Sequence, residues 1–219
     1  MFIVLVPAYN ESRQIAAVVK GLSPYADEVV VIDDGSRDET ARLASEAGAT
    51  VIVHSLNRGQ GAALETGQAY ARRRGADAVV HFDGDGQFDP AQIPLARQAL
   101  GKSGADILFG SRFLDAASRI PPLKRFFLLP AARVVDRFFG TVTLSDAHNG
   151  FRLLNRRALQ KIVITQDRMA HATEIPALAK RYGLKFAEYP VTVTYHRYGQ
   201  GIGGGVKIVE DLIVGRFVE

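Results

Sequence analysis

Cysteine is absent from the 219 residues. Its absence excludes disulfides and thiolate metal sites and is compatible with a reducing compartment. Long apolar runs are missing too. No stretch approaches the roughly 18–20 apolar residues that a membrane span needs. The nearest, Phe126 to Val135, is flanked and interrupted by charge. The chain is therefore expected not to cross a membrane, although it can lie on one. The first apolar run, Phe2 to Val6, starts at the second residue and leaves no room for a basic region and a cleavage site. No secretory signal is expected, and a cytoplasmic location, at or near the inner face of the membrane, is. Internal repeats, low-complexity tracts and a convincing linker are also lacking. The chain reads as one domain over 1–198, with 199–219 adding a glycine-rich loop and an amphipathic helix to it.

Hydrophobic residues make up 47% of the chain, enough for a sizeable core. The net charge is +4, and it is concentrated. Arg119, Lys124, Arg125, Arg133 and Arg137 stand against the single acid Asp136 between positions 119 and 139, so the remaining residues are neutral in sum. So local an excess points to one anionic surface or ligand. A nucleic-acid-binding protein would spread its basic residues over a larger face.

Short, mostly β-branched runs recur through the first half: Phe2–Val6, Glu28–Ile32, Thr50–Val53, Ala78–Phe82 and Asp106–Phe109. Segments of helical length separate them. Such alternation predicts βαβ units and a largely parallel sheet, an α/β fold. Ser36 and Glu39 form a capping-box pattern before a helix over Thr40–Ala47. Asp89-Pro90 reads as an N-cap and first helical residue. Asn155 is placed to cap Arg156–Ile162, and Gly183 to stop a helix over Ile175–Tyr182. After Gly110 the simple alternation fails. Residues 150–154 and 184–195 look like further strands, and Val206–Val218 carries a helical apolar stripe.

The strongest chemical signal is Asp83-Gly-Asp-Gly-Gln87, directly after a strand. Asp83 and Asp85, two apart in a glycine-bearing turn, can converge on one hard cation, with the Gln87 amide oxygen close behind. Mg²⁺ or Mn²⁺ prefers such oxygen ligands and keeps waters or substrate phosphates in its shell. The same residues also suit a polar turn with an aspartate cap. An EF-hand is excluded because its 12-position pattern with a terminal Glu is missing. Asp33, Asp34 and Ser36 follow the second strand, where ligands of open parallel sheets bind. An acid there can accept hydrogen bonds from a base or a ribose, or serve only the turn. Pro7-Ala-Tyr-Asn-Glu11 ends the first strand. Tyr9 could pack on a nucleobase and Glu11 could bond a polar ligand, while Asn10 suits a plain N-cap. Position gives these three segments their weight, since one sheet edge would present them all. Gly59-Gln-Gly-Ala-Ala-Leu64 begins like a dinucleotide fingerprint, but Leu64 holds the third glycine position and the segment follows the third strand. It reads as a helix start with small residues for close packing. The five histidines show no paired spacing for zinc; His196, beside Arg197, is the one best placed to approach a donor.

Six segments together, PAYNE at 7–11, DDGS at 33–36, NRGQGAAL at 57–64, DGDGQ at 83–87, GSR at 110–112 and NGFR at 149–152, occur in an order that resembles the family-two inverting glycosyltransferases. The resemblance is greatest to the dolichyl- or polyprenyl-phosphate sugar transferases, and it covers about residues 1–200. It implies a GT-A fold, Rossmann-like, with a mixed, mainly parallel sheet flanked by helices. It also implies a nucleotide-diphosphate sugar donor, a divalent metal, Mg²⁺ or Mn²⁺, and a polyprenyl phosphate acceptor at a membrane surface. By motif match Pro7, Tyr9, Glu11 and Asp34 would contact the nucleotide, and Asp83 with Gly84 would touch the donor. Asp85 and Gln87, with Asp83 beside them, would hold the metal on the diphosphate. Arg112 would lie near a phosphate, and Asp146 and the NGFR segment would line the acceptor side. Arg197 matches a C-terminal arginine of such enzymes, but the serine-lysine pair that often follows is replaced by Tyr198-Gly199-Gln200.

These matches imply a reaction in which negative charge grows on the departing diphosphate, neutralised by the metal and by Arg197 or Arg112. A lipid phosphate acceptor needs no strong base. A hydroxyl acceptor does, and Asp146 is then the candidate. The basic and aromatic segment 120–139 suits a helix lying on an anionic bilayer, or a core helix with snorkelling basic ends. Other functions stay open at this point: transfer to a soluble or protein hydroxyl, or a non-catalytic nucleotide-binding module. A sugar-nucleotide nucleotidyltransferase would show a glycine-rich, basic loop after the first strand, which PAYNE does not supply. The glycines of 199–205 suit a loop that closes over bound donor.

Overall fold

A computed structural model describes residues 1–114, 144–146 and 149–194. The basic segment 119–139, His148, His196, Arg197, the glycine-rich loop 199–205 and the stripe at 206–218 lie outside the described residues.

The central strand is β1 (Phe2–Ala8), buried along its whole length. Its side chains alternate between two apolar layers: Phe2, Val4 and Val6 in one, Ile3 and Leu5 in the other. That two-sided burial is why the run is continuously apolar. The remaining elements are α1 (Ile15–Leu22), β2 (Glu28–Asp33), α2 (Thr40–Glu46), β3 (Thr50–Val53), α3 (Gln60–Arg73), β4 (Ala78–His81), α4 (Ile93–Ser103), β5 (Ile107–Ser111), β6 (Arg152–Asn155), α5 (Arg156–Lys161), α6 (His171–Arg181) and β7 (Phe186–Pro190). The strands form one sheet in the order β3-β2-β1-β4-β6-β5-β7. Every neighbouring pair is parallel except those of β6, which runs antiparallel between β4 and β5. Apolar residues of α1, α2 and α4 cover one face, and those of α3, α5 and α6 cover the other. The sheet is thus mixed and mainly parallel, as the alternation predicts, and β6 explains why that pattern fails after Gly110.

Some local expectations hold. Asn155 caps α5, its side chain accepting from the Ala158 amide at 2.9 Å. Gly183 follows α6 in the left-handed region, at φ 58°. The tight start of α3 is real as well: a Cβ on Gly61 would stand 1.9 Å from the Gln166 carbonyl oxygen. Others are corrected. The Ser36/Glu39 capping box does not form; α2 begins at Thr40, whose amide bonds Asp38. Ser36 is drawn away to Asp33 and to the Asn10 amide. Asp89 caps a short 3-10 turn at Pro90–Gln92 that leads into α4. The strand expected over 184–195 narrows to β7 and an isolated Phe88–Val193 bridge.

Candidate active site

The carboxyl ends of β1, β2 and β4 open onto one cavity of about 320 Å³. It is lined by Pro7, Tyr9, Glu11, Asp34, Asp83, Gly84 and Asp85 from the expected set, with Ala8, Asn57, Gly59, Gln60 and Ala63 beside them. A larger groove of about 370 Å³ between α4 and the opposite end of β4 and β6 has no acidic residue in its lining. The acidic chemistry is therefore concentrated at the carboxyl ends, as expected for an open parallel sheet.

Polar contacts stitch the first two loops together. The Asn10 amide donates to Ser36 Oγ at 2.8 Å, and Asn10 Oδ1 accepts from the Arg37 amide at 2.9 Å. The Glu11 amide donates to Thr40 Oγ1 at 2.8 Å. Asn10 is therefore no helix cap; it sits at φ 57° and joins two loops. Tyr9 is left 44% exposed on the cavity wall. Asp34 is buried and engaged at both oxygens: Oδ1 with the Arg58 amide at 3.0 Å and the His54 ring at 2.7 Å, Oδ2 with the Gly59 amide at 2.6 Å. Its first task is to hold the turn that begins α3. His54 in turn reaches Thr66 Oγ1, which fixes the ring.

Aromatic packing fixes the Asp83–Gln87 loop at both ends. Phe82 and Phe88, immediately outside it, lie 5.7 Å apart between centroids, and Phe151 packs on both at 6.4 and 5.9 Å. The alternation of β6 puts Phe151 in this cluster, while Arg152 turns to the other face. Gly150 is then pressed against Asp83, and a Cβ there would stand 2.1 Å from Asp83 Oδ2. The glycine of NGFR is thus required because the carboxylate fills the space a side chain would need. Within the loop, the Gln87 amide donates to Asp85 Oδ1 at 3.0 Å, and the Gln87 carbonyl accepts from the Thr194 amide at 2.9 Å. Asp85 lines the cavity, and Gln87 follows two residues on.

The electrostatics are those of crowded acids. Burial, then the neighbouring charge of Asp85, pushes the Asp83 carboxyl up to about 6, against the pull of Arg152, the Gln60 hydrogen bond and Arg112. Burial, Asp85 and Asp38 raise Glu11 above its ordinary value. Carboxylates that raise one another in a cleft mark a place where positive charge is wanted. Among the described residues no three His, Asp or Glu side chains converge as a closed metal cage. The oxygen donors of Asp83 and Asp85 are of the kind a hard divalent cation prefers.

Asp146 lies to one side, its side chain fully buried, and is gripped by Arg112. Nε donates to Oδ2 at 2.7 Å, Nη2 to Oδ1 at 2.6 Å, and the Arg112 amide to Oδ2 at 3.0 Å. Asn149 adds a bond at 3.1 Å. Although burial opposes it, the Arg112 contacts hold Asp146 below the usual carboxylate range. A carboxylate so engaged is a weaker base than a free one, and the same contacts fix the orientation of the Arg112 guanidinium.

Two residues escape the sequence reading. Gln60, the first residue of α3, donates from Nε2 to Asp83 Oδ1 at 2.9 Å. A polar residue between two glycines at a helix start is the sequence signal for it. For Arg152 the resemblance implies only that the NGFR segment lines the acceptor side. Arg152 itself is 1% exposed, inside the fold.

The fold is of the GT-A type. The model of glycosyl transferase family 2 matches residues 3–163, and the chain belongs to that family as a glycosyltransferase. The polyprenol monophosphomannose synthase of Mycolicibacterium smegmatis is 30% identical, over 96% of this chain and 83% of its own. A UDP-N-acetylglucosamine–dolichyl-phosphate N-acetylglucosaminyltransferase of Methanococcus voltae is 27% identical, over 93% and 90%. The glucosyl-3-phosphoglycerate synthase of Mycobacterium tuberculosis, solved with Mn²⁺, UDP-glucose and phosphoglyceric acid, superposes with a TM-score of 0.75. It has 21% identity, over 98% of this chain and 79% of the other, and shares the fold.

Proposed function

We propose that this glycosyltransferase moves a sugar from a nucleotide-diphosphate donor to a polyprenyl phosphate, with inversion, in a reaction dependent on Mg²⁺ or Mn²⁺. The observation that carries the donor half is the shared cavity of Tyr9, Glu11, Asp34, Asp83 and Asp85 at the carboxyl ends of three strands. The acceptor half is supported by the polyprenyl- and dolichyl-phosphate relatives.

Tyr9, half-exposed on the wall, would stack on the base, and Pro7 with Glu11 would bound the nucleoside. Asp34 would shape this end by holding the turn at Arg58 and Gly59. Asp85, with Gln87 and Asp83 beside it, would hold the divalent ion, which when bound supplies positive charge to the leaving diphosphate. Asp83, steadied by Gln60 and by the packing of Gly150, would face the donor next to Gly84. Arg112, oriented by Asp146, would place a cation near a phosphate, and Arg197 would supply a second. A phosphate nucleophile is already an anion and needs no base to take a proton from it. The basic and aromatic segment 120–139 would bring the chain to an anionic bilayer. Among the described residues no helix is long and apolar enough to cross a membrane.

The test is transfer of radiolabelled sugar from a panel of nucleotide sugars into an organic-soluble product, with Mn²⁺ and polyprenyl phosphate in detergent. Label entering the organic phase only when both are present is the expected result. Transfer only to water-soluble hydroxyl acceptors would overturn the lipid assignment.

A further inference from the structure

Arg152 occupies an unusual place for a guanidinium. It opens β6, opposite His81 of β4 and Phe109 of β5, in the middle of the sheet. It is 1% exposed, and its Nε has no hydrogen-bond partner. Burying a charge with incomplete hydrogen bonding is costly unless other charges compensate. The compensating charges are Asp83 and Asp146, whose attraction opposes the burial that lowers Arg152 to about 10, so it remains a cation at neutral pH. The neighbouring His81 adds no second charge. It is fully buried with neither ring nitrogen bonded, and burial, then Arg152 and His171, hold it well below its ordinary value. Asp146 already has its own bidentate partner in Arg112. Asp83 accepts a hydrogen bond from Gln60, a neutral donor.

We propose that Arg152 is a positioning residue that serves as the buried counter-charge of Asp83, setting the charge of the donor end so that it accepts a metal–diphosphate complex instead of clamping a bare cation. The proposal rests on the donor reading above. A site made only of crowded carboxylates binds a free divalent ion tightly and repels the diphosphate that must accompany it. One fixed positive charge behind the carboxylates weakens the first interaction and strengthens the second. Removing that charge must move the two affinities in opposite directions, which simple loosening of the fold would not do.

The probes are Mn²⁺ alone and inorganic pyrophosphate at saturating Mn²⁺, titrated calorimetrically at pH 8 into wild type, Arg152→Met, Arg152→Lys and the exposed control Arg156→Met. Arg152→Met is expected to bind Mn²⁺ several-fold more tightly and pyrophosphate on the order of tenfold more weakly, opposite directions that follow from loss of one positive charge. Arg152→Lys should restore both toward wild type, and Arg156→Met should change neither. Two affinities that fall together, or that stay unchanged, overturn the proposal, as does a lysine variant that behaves like the methionine one. If Arg152→Met does not fold, the double variant Asp83→Asn/Arg152→Met, which removes both charges, decides. Recovery of a cooperative melt supports the counter-charge, and continued failure overturns it. Should wild type itself bind neither probe, the donor-site reading fails instead, a separate result.

Discussion

Replacing Gly150 by alanine tests the contact between the NGFR turn and Asp83 with a single methyl group. The new carbon would stand 2.1 Å from Asp83 Oδ2, where real contacts are not found under 3.0 Å. Something must therefore move by 0.9 Å. The turn is poorly placed to yield, because Phe151 packs against both Phe82 and Phe88 and β6 is paired on both sides. The carboxylate is the freer partner, and displacing it breaks the 2.9 Å bond from Gln60. Overpacking of this kind costs about 1–3 kcal/mol, and each kcal/mol lowers Tm by about 2–4 °C for a chain of this size. A misplacement near 1 Å can cost on the order of a hundredfold in rate. Calorimetric melts beside sugar-transfer kinetics should show both losses. The double variant Gly150→Ala/Asp83→Ala separates them: it should recover the melt and leave turnover low. Gly150→Ala with the wild-type melt and wild-type turnover would refute the contact.

Other consequences follow from the same geometry. Because Asp83 is raised to about 6, the folded chain holds its proton more tightly than the unfolded chain. Its contribution to stability is present at low pH and is lost as pH rises from 3.8 to about 6. Cation binding has the opposite dependence, so Mn²⁺ affinity should climb through about pH 6, and Asp83→Asn should abolish that inflection in a titration series. Asp146→Asn should lower the melting temperature and turnover together, without removing the acid-side limb of the pH–rate profile; loss of that limb would assign Asp146 as the base. Lys124→Glu with Arg125→Glu should weaken co-sedimentation with anionic vesicles while leaving nucleotide binding intact, and equal sedimentation would argue for a core role of that segment.

Much of this was legible in the sequence because strand-end position and residue type carried it. The apolar runs located β1 to β5, and the three polar segments after β1, β2 and β4 do meet in one cavity. The failures share a cause: one side chain had several possible partners, and tertiary contacts chose among them. Ser36 fits a capping box locally but is claimed by Asp33 and Asn10. Asp34 does line the cavity, but its bonds to the Arg58 and Gly59 amides and to His54 are tertiary contacts that its own motif does not reveal. Arg152 could not be assigned to the interior from its motif, since only the antiparallel insertion of β6 decides which way residue 152 faces. Gln60 is flagged in the sequence only by its place between two glycines; its partner Asp83 is set by the start of α3.

The central claim is that this cavity takes a nucleoside diphosphate together with a divalent cation through Asp85. A thermal-shift screen of nucleoside diphosphates with Mn²⁺ or Mg²⁺, on wild type and Asp85→Asn, tests it most directly. At 100 times its dissociation constant the matching nucleotide should stabilise wild type by about 2.7 kcal/mol. Asp85→Asn should remain folded, lose most of that shift, and turn over on the order of a hundredfold more slowly. A wild type that no nucleotide stabilises with either metal, or an Asp85→Asn protein that responds like wild type, would contradict the account.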